Sequence, residues 1–251
     1  MTLRGRFVPE QNLALFLDVD GTLLEIAATP DAVRVPASLR NTLELAAQRE
    51  QGALALVSGR TLESLDSLFT PVQFPAAGQH GLERRSASGS VWRATVNNNS
   101  LRKARLRLQA LKAEHPELLL EDKGSALALH YRQAPTLAGQ LIEEAMSLQE
   151  ELAPHLQLKL GKSVIELLPS GFSKRTAIEA FMREAPFAGR VPVFVGDDIT
   201  DEDGFAAVND LGGYSVRVGE PSAFTMARNH FSSVSGVIGW LRERNLTPSR
   251  S

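Results

Sequence analysis

Three short apolar runs constrain the fold of this chain more than any other feature: LALFL (13–17), ALALV (53–57) and VPVFV (191–195). Each is continuous rather than alternating, which predicts a strand buried on both faces. Their neighbours carry apolar residues at helical spacing, so helices are expected over 37–50, 61–69, 174–184 and 234–244. Helices interleaved with fully apolar strands imply an α/β fold, an open parallel sheet covered on both sides.

The middle of the chain reads differently. SALALHYR (125–132) and KSVIELL (162–168) alternate polar with apolar residues, and helical stretches at 100–114 and 136–153 separate them. Alternation predicts an antiparallel sheet with one solvated face. Polar RRSASGS (84–90) and LPSG (168–171) flank this region as expected hinges. The expected organisation is a core domain of residues 1–84 and 169–251, interrupted by a smaller α+β domain at 85–168.

Composition narrows the partners. With 43% hydrophobic residues in 251, a core needs no staples. A formal net charge of -2 gives no reason to expect a nucleic-acid partner. The absence of cysteine excludes disulfides, thiolate nucleophiles and Cys-ligated zinc, and accords with a reducing compartment. MTLRGRFVPEQ (1–11) lacks a signal-peptide core and no run reaches membrane-spanning length, so a cytoplasmic protein with no membrane partner, acting as a monomer, is expected.

Ligands of open α/β sheets bind beyond the carboxyl ends of the strands. LALFL runs into Asp18, Asp20, Gly21 and Thr22; ALALV into Ser58, Gly59 and Arg60; VPVFV into Asp197, Asp198 and Asp201 of GDDITDED. GFSKRTA (171–177) puts Lys174 at a helix start. Carboxylates, a hydroxyl and a lysine gathered at one rim suit a phosphate and Mg²⁺, a hard cation held by carboxylates, phosphate and water. Of two paired acids, one can attack phosphorus and form an acyl phosphate. The other can give a proton to the leaving alkoxide and later take one from water. Each piece alone has a plainer explanation: acids cap helices and fill turns, Ser58 can start a helix, and a lone lysine is usually solvated. Their common placement after strands and at a helix start carries the inference.

The same residues resemble the haloacid dehalogenase-like phosphatases: DVDGTL, VSGR, Lys174 and GDDITDED fall in that family's motif order over residues 13–218. The resemblance implies a Rossmann-like core with an inserted cap that selects the substrate. It makes Asp18 the nucleophile and Asp20 the general acid/base. It places the phosphoryl group at Gly21, Thr22, Ser58, Gly59 and Lys174. Mg²⁺ would sit at Asp18, the backbone carbonyl of Asp20 and Asp197, with Asp198 and Asp201 orienting its waters or Lys174.

VSGR, AGQHGLERR (77–85), LALHYR (127–132) and GKSVIELLPSGFSK (161–174) are similar to the trehalose-6-phosphate phosphatase branch of that family. That resemblance implies an Mg²⁺-dependent hydrolysis of a small sugar phosphate, trehalose 6-phosphate, in trehalose biosynthesis. It assigns the sugar to Glu121, Lys123, Arg132, Lys162 and Glu166, with Arg60 and His80 facing the cap. Lys162 and Glu166 are expected to share one strand face, as are Glu121 and Lys123. Ordinary cross-strand ion pairing would produce the same alternation. One departure stands out: the family's Lys-Gly is Lys174-Arg175 here, so Arg175 must point outward. Other substrates, such as sucrose phosphate or mannosyl-phosphoglycerate, share the core motifs. A non-catalytic sensor ranks low because Asp18, Asp20 and Lys174 are all present. A phosphomutase would have to shield its intermediate from water, and no residue signals that.

Overall fold

The computed structural model describes residues 12–26, 33–220 and 223–246. The chain divides into two compact units: residues up to 92 together with those from 173 onward, and Arg93–Phe172. The first unit runs β1 (Leu13–Leu17), α1 (Ala37–Arg49), β2 (Leu54–Val57), α2 (Leu62–Phe69), β3 (Ala76–Gly78), β4 (Glu83–Arg85) and β5 (Val91–Arg93). The second contains α3 (Asn98–Glu114), β6 (Leu119–Asp122), β7 (Leu127–His130), α4 (Ala138–Leu152), β8 (Leu156–Gly161) and β9 (Val164–Pro169). The first then resumes with α5 (Lys174–Phe181), β10 (Val191–Gly196), α6 (Glu202–Asp210), β11 (Tyr214–Val218), β12 (Asn229–Phe231) and α7 (Val234–Leu246).

The larger unit is built on a sheet of order β12-β11-β10-β1-β2-β3-β4-β5. From β12 to β3 every pairing is parallel, and β4 turns back antiparallel on β3. The three apolar runs are therefore its adjacent centre, with Leu15 opposite Val193 on one side and Leu54 on the other. The chain winds outward in both directions from β1 and β10, which makes the carboxyl ends of these two strands the topological switch point.

Period-two alternation sorts the strand side chains onto two helix layers. Leu13, Leu15 and Leu17 face one layer with residues of α1, α2 and α7, including Leu43, Leu65 and Leu241. Ala14 and Phe16 face the other, with Ile178 and Phe181 of α5 and Phe205 of α6. Small residues on that second face (Ala14, Ala53, Ala55) leave room for aromatics: Phe16 stacks on Phe187 at 5.5 Å and meets Phe181 at 5.9 Å.

The sheet extends beyond the expected boundary at residue 84. RRSASGS forms the end of β4 and the turn into β5 rather than a hinge. The two units part at 92/93 and 172/173. The local reason is backbone pairing, since β4 and β5 complete the edge of the larger sheet.

The smaller unit is a wholly antiparallel sheet of order β6-β7-β9-β8. Its apolar face, with Leu127, Leu129, Ile165 and Leu167, packs on α3 and α4 through Leu101, Leu108, Leu141 and Leu148. The opposite face carries Glu121, Ala128, Glu166 and Lys159 in one register row. Lys162 is a correction. It does not share a strand face with Glu166, because Lys162 and Ser163 form the two-residue turn between β8 and β9. Ser163, the second residue of this turn, sits at φ 63° in the left-handed region.

Candidate active site

Four structural devices bring the carboxylates, hydroxyls and lysine of the larger unit together. The first is the end of β1. The Asp18 backbone N–H donates to Val195 of β10 at 2.9 Å, so its side chain leaves a backbone held by the sheet. The chain then folds tightly, with the N–H groups of Leu23 and Leu24 both donating to the Val19 carbonyl. Gly21 allows this turn at φ 82°, and a Cβ there would lie 2.1 Å from Asp197 Oδ2. Thr22 is fully buried, and its hydroxyl lies 3.5 Å from both Asp18 Oδ2 and Asp197 Oδ1.

The second device is the start of α5. Ser173 and Thr176 cap the helix reciprocally. This makes Lys174 its first residue and buries it, with Nζ 2.8 Å from Asp18 Oδ1 and 2.5 Å from Asp201 Oδ1. The third is the loop after β10. Asp201 accepts the backbone N–H groups of Asp197 and Asp198 on its other oxygen, at 2.8 and 2.9 Å. Asp198 turns to cap the N–H of Ile199 at 2.8 Å. The acids brought together are thus Asp18, Asp197 and Asp201, all buried, with one oxygen of each within 4.8 Å of the others. Asp198 stands outside this group, because its carboxylate is taken by the short turn it starts.

The fourth device is the loop after β2. Ser58 is buried, and its hydroxyl accepts the Arg60 N–H at 3.2 Å. Arg60 reaches back across the rim to Asp20, with Nε 2.6 Å from Oδ2 and Nη2 2.7 Å from Oδ1. His80 is buried against the same loop: its N–H donates to the Ser58 carbonyl, and a Cβ on Gly59 would lie 2.8 Å from its Nε2. Sequence reasoning passed over Glu83. This buried carboxylate accepts the N–H of Leu62 at 2.7 Å and the Gln79 amide at 3.4 Å, tying α2 to the loop that carries His80. The signal lay in AGQHGLERR, where Glu83 is the one acid.

Electrostatics follows from three carboxylates and one ammonium in a buried space. Burial pushes the Asp18 carboxyl well up; Lys174 opposes this, while Asp201 and Asp197 add to it. Burial works to lower Lys174, but Asp18 and Asp201 outweigh it and keep the ammonium charged. An all-oxygen donor set with surplus negative charge fits a hard divalent cation. Arg175 points outward and pairs with Glu179 and Asp210 at 3.3 and 2.9 Å. The bulk that departs from Lys-Gly therefore stays clear of the site.

In the smaller unit, Lys123 Nζ lies 2.6 Å from Glu166 Oε1, and His130 Nε2 lies 3.0 Å from Glu121 Oε2. Arg132 Nη2 approaches the carbonyl of Lys162 at 3.5 Å, at the hairpin end. Among the described residues no helix is long and apolar enough to cross a membrane.

Comparison with known proteins agrees with this arrangement. The family model described as trehalose-phosphatase matches residues 16–234. The trehalose-6-phosphate phosphatase of Escherichia coli (strain K12) is 46% identical over 228 residues, covering 91% of this chain and 85% of that protein. The probable trehalose-phosphate phosphatase of Sinorhizobium fredii is 43% identical over 231 residues, covering 91% and 86%. The solved C-terminal domain of C. albicans trehalose-6-phosphate phosphatase superposes with a TM-score of 0.84 over 94% of this chain and 92% of that one; at 22% identity this is a likeness of fold. With the matched stretch reaching from the strand that carries Asp18 to the start of α7, this chain belongs to the trehalose-phosphatase family.

Proposed function

We propose that this phosphatase hydrolyses trehalose 6-phosphate to trehalose and phosphate, with Asp18 as its nucleophile. The observation that carries the reading is the buried contact of Asp18 with Lys174 beside Asp197 and Asp201 at the switch point of the sheet. An Asp18 oxygen attacks phosphorus as the bond to the sugar oxygen breaks, and Asp20 gives that oxygen its proton. Asp20 then takes a proton from water, whose oxygen attacks phosphorus. The bond from Asp18 to phosphorus breaks, and both carboxylates are restored. Lys174 and Ser58 meet the phosphoryl oxygens, with Gly21, Thr22 and Gly59 shaping the backbone around them. Asp18, Asp197 and the Asp20 carbonyl would hold Mg²⁺, and Asp201, whose oxygens take Lys174 and the Asp197 and Asp198 N–H groups, would orient Lys174. When bound, Mg²⁺ offsets the charge of phosphate and carboxylates.

The smaller unit, on this reading, is the cap, and its polar face grips the sugar. Glu121 and Lys123, on and just past β6, and Glu166 of β9 flank β7 on one face, and Arg132 and Lys162 meet at the end of the β8–β9 hairpin. Desolvated sugar hydroxyls need such polar partners. The absence of cysteine supports a cytoplasmic setting. The test is phosphate release with Mg²⁺ from trehalose 6-phosphate, sucrose 6-phosphate, glucose 6-phosphate and p-nitrophenyl phosphate, each with an EDTA control. Release strongly favouring trehalose 6-phosphate, and lost in EDTA, is expected. A preference for another sugar phosphate overturns the substrate and keeps the chemistry.

A further inference from the structure

LALHYR contributes more than the arginine singled out in it. On the polar face of the smaller sheet, Glu121 and Glu166 lie in the same register row, with Ala128 of β7 between them. Each carboxylate is held by a neighbour. Lys123 holds Glu166 at 2.6 Å, with both side chains under one-tenth exposed. His130, one row further along β7, holds Glu121 at 3.0 Å. The two partners are chemically different. Lysine brings an ammonium, whereas His130 meets the carboxylate through one ring N–H. A carboxylate can only accept, so Nε2 carries the shared proton. Glutamate has three rotatable bonds, and a half-exposed one needs such a tie to keep one geometry.

We propose that His130 is a positioning residue of the sugar site, fixing the Glu121 carboxylate in the orientation that accepts sugar hydroxyls. The inference rests on the assignment of Glu121 to the sugar made above. The surroundings accord with it. Burial works to raise the Glu121 carboxyl, but the His130 hydrogen bond and the Lys123 charge bring it below the ordinary range, so it stays an ionised acceptor. Ala128, between the two carboxylates in register, adds no bulk to the row.

The experiment compares His130→Ala, His130→Gln, Glu121→Ala and the double variant His130→Ala/Glu121→Ala, on trehalose 6-phosphate and on p-nitrophenyl phosphate. His130→Ala is expected to raise KM for the disaccharide phosphate about tenfold with kcat nearly unchanged. His130→Gln, which keeps an N–H donor, is expected to recover most of that loss. In the double variant the loss of His130 is expected to add nothing to the loss of Glu121. A thermal melt reports that each variant is folded, and a loss on trehalose 6-phosphate larger than the loss on p-nitrophenyl phosphate marks an effect through the sugar. If Glu121→Ala raises KM but His130→Ala does not, or if the two losses add, the positioning role is overturned while the sugar assignment stands. If Glu121→Ala leaves KM unchanged, the sugar assignment itself fails, and the role of His130 with it.

Discussion

Arg60 holds Asp20 by both carboxylate oxygens, at 2.6 and 2.7 Å. The guanidinium is itself steadied by the Ser64 hydroxyl at 3.3 Å, on the first turn of α2. A planar fork on a carboxylate fixes its plane as well as its position. The general acid/base of the proposed mechanism is thereby tied to the loop that carries Ser58. A residue expected from its motif to meet the substrate instead reaches its own neighbour across the rim.

That relationship predicts how Arg60 variants behave. If Arg60 acts through Asp20, Arg60→Ala lowers kcat roughly ten- to hundredfold on trehalose 6-phosphate and on p-nitrophenyl phosphate alike, because both substrates need Asp20. Arg60→Lys restores only part, since an ammonium cannot grip both oxygens in one plane. Steady-state kinetics on the two substrates decides. A loss confined to the disaccharide would place Arg60 on the sugar.

The two acids of DVDGT are expected to fail differently. Asp18→Asn removes the nucleophile and abolishes turnover. Asp20→Asn keeps the nucleophile but loses proton transfer, which costs about 10²–10⁴-fold. Acid-quenched enzyme would then show phosphate on protein in neither Asp18→Asn nor its double variant with Asp20→Asn. Normal phosphate release by Asp18→Asn would remove it from the chemistry.

The triad of Asp18, Asp197 and Asp201 makes a prediction of opposite signs. Three buried carboxylates face one ammonium, so they repel one another when no cation is bound. Asp197→Asn relieves that repulsion and is expected to melt at or above the wild-type temperature in EDTA. Adding Mg²⁺ is expected to raise the wild-type Tm by several degrees and to leave the variant unmoved. Gly21→Ala is expected to lose the Mg²⁺ response as well, because its Cβ would drive Asp197 from its place. Thermal melts with Mg²⁺ and EDTA read all three, and a wild type indifferent to Mg²⁺ would end the assignment.

Stability of the larger unit is expected to depend on Phe16. It is fully buried in β1 and packs against both Phe181 and Phe187, which also meet each other. The surrounding helix layer cannot collapse onto a missing ring without moving α5. Phe16→Ala should therefore cost about 3–5 kcal/mol, read as a lower urea midpoint with little change in slope. A loss under 1 kcal/mol would show that the layer repacks about the gap, since roughly that much accompanies the removal of a single methylene.

Much of the fold was legible because its signals are local. LALFL, ALALV and VPVFV became β1, β2 and β10 within a residue at each end, since a continuous apolar run has no stable place except a strand covered on both faces. The helices expected from 61 and 174 begin at Leu62 and Lys174, where Thr61 and Ser173 cap the first turns. Motif order also sufficed to nominate Asp18, Lys174 and Asp197 for one site. Nothing local says that residue 13 pairs with residue 191, and only that parallel register sets Asp18 beside Asp197. Nor could the sequence choose between Asp198 and Asp201. Both are acids in one short string, and the turn after β10 alone spends Asp198 on a cap and turns Asp201 toward Lys174. Lys162 was misread for the same reason: a two-residue hairpin leaves no trace in polar alternation, yet it removes a side chain from the sheet face. Residue types and their periodicity determined which chemistry this chain carries and on which elements. Tertiary structure decided which groups touch, because contacts between residues far apart in sequence depend on strand order and register, and no short window of sequence contains either.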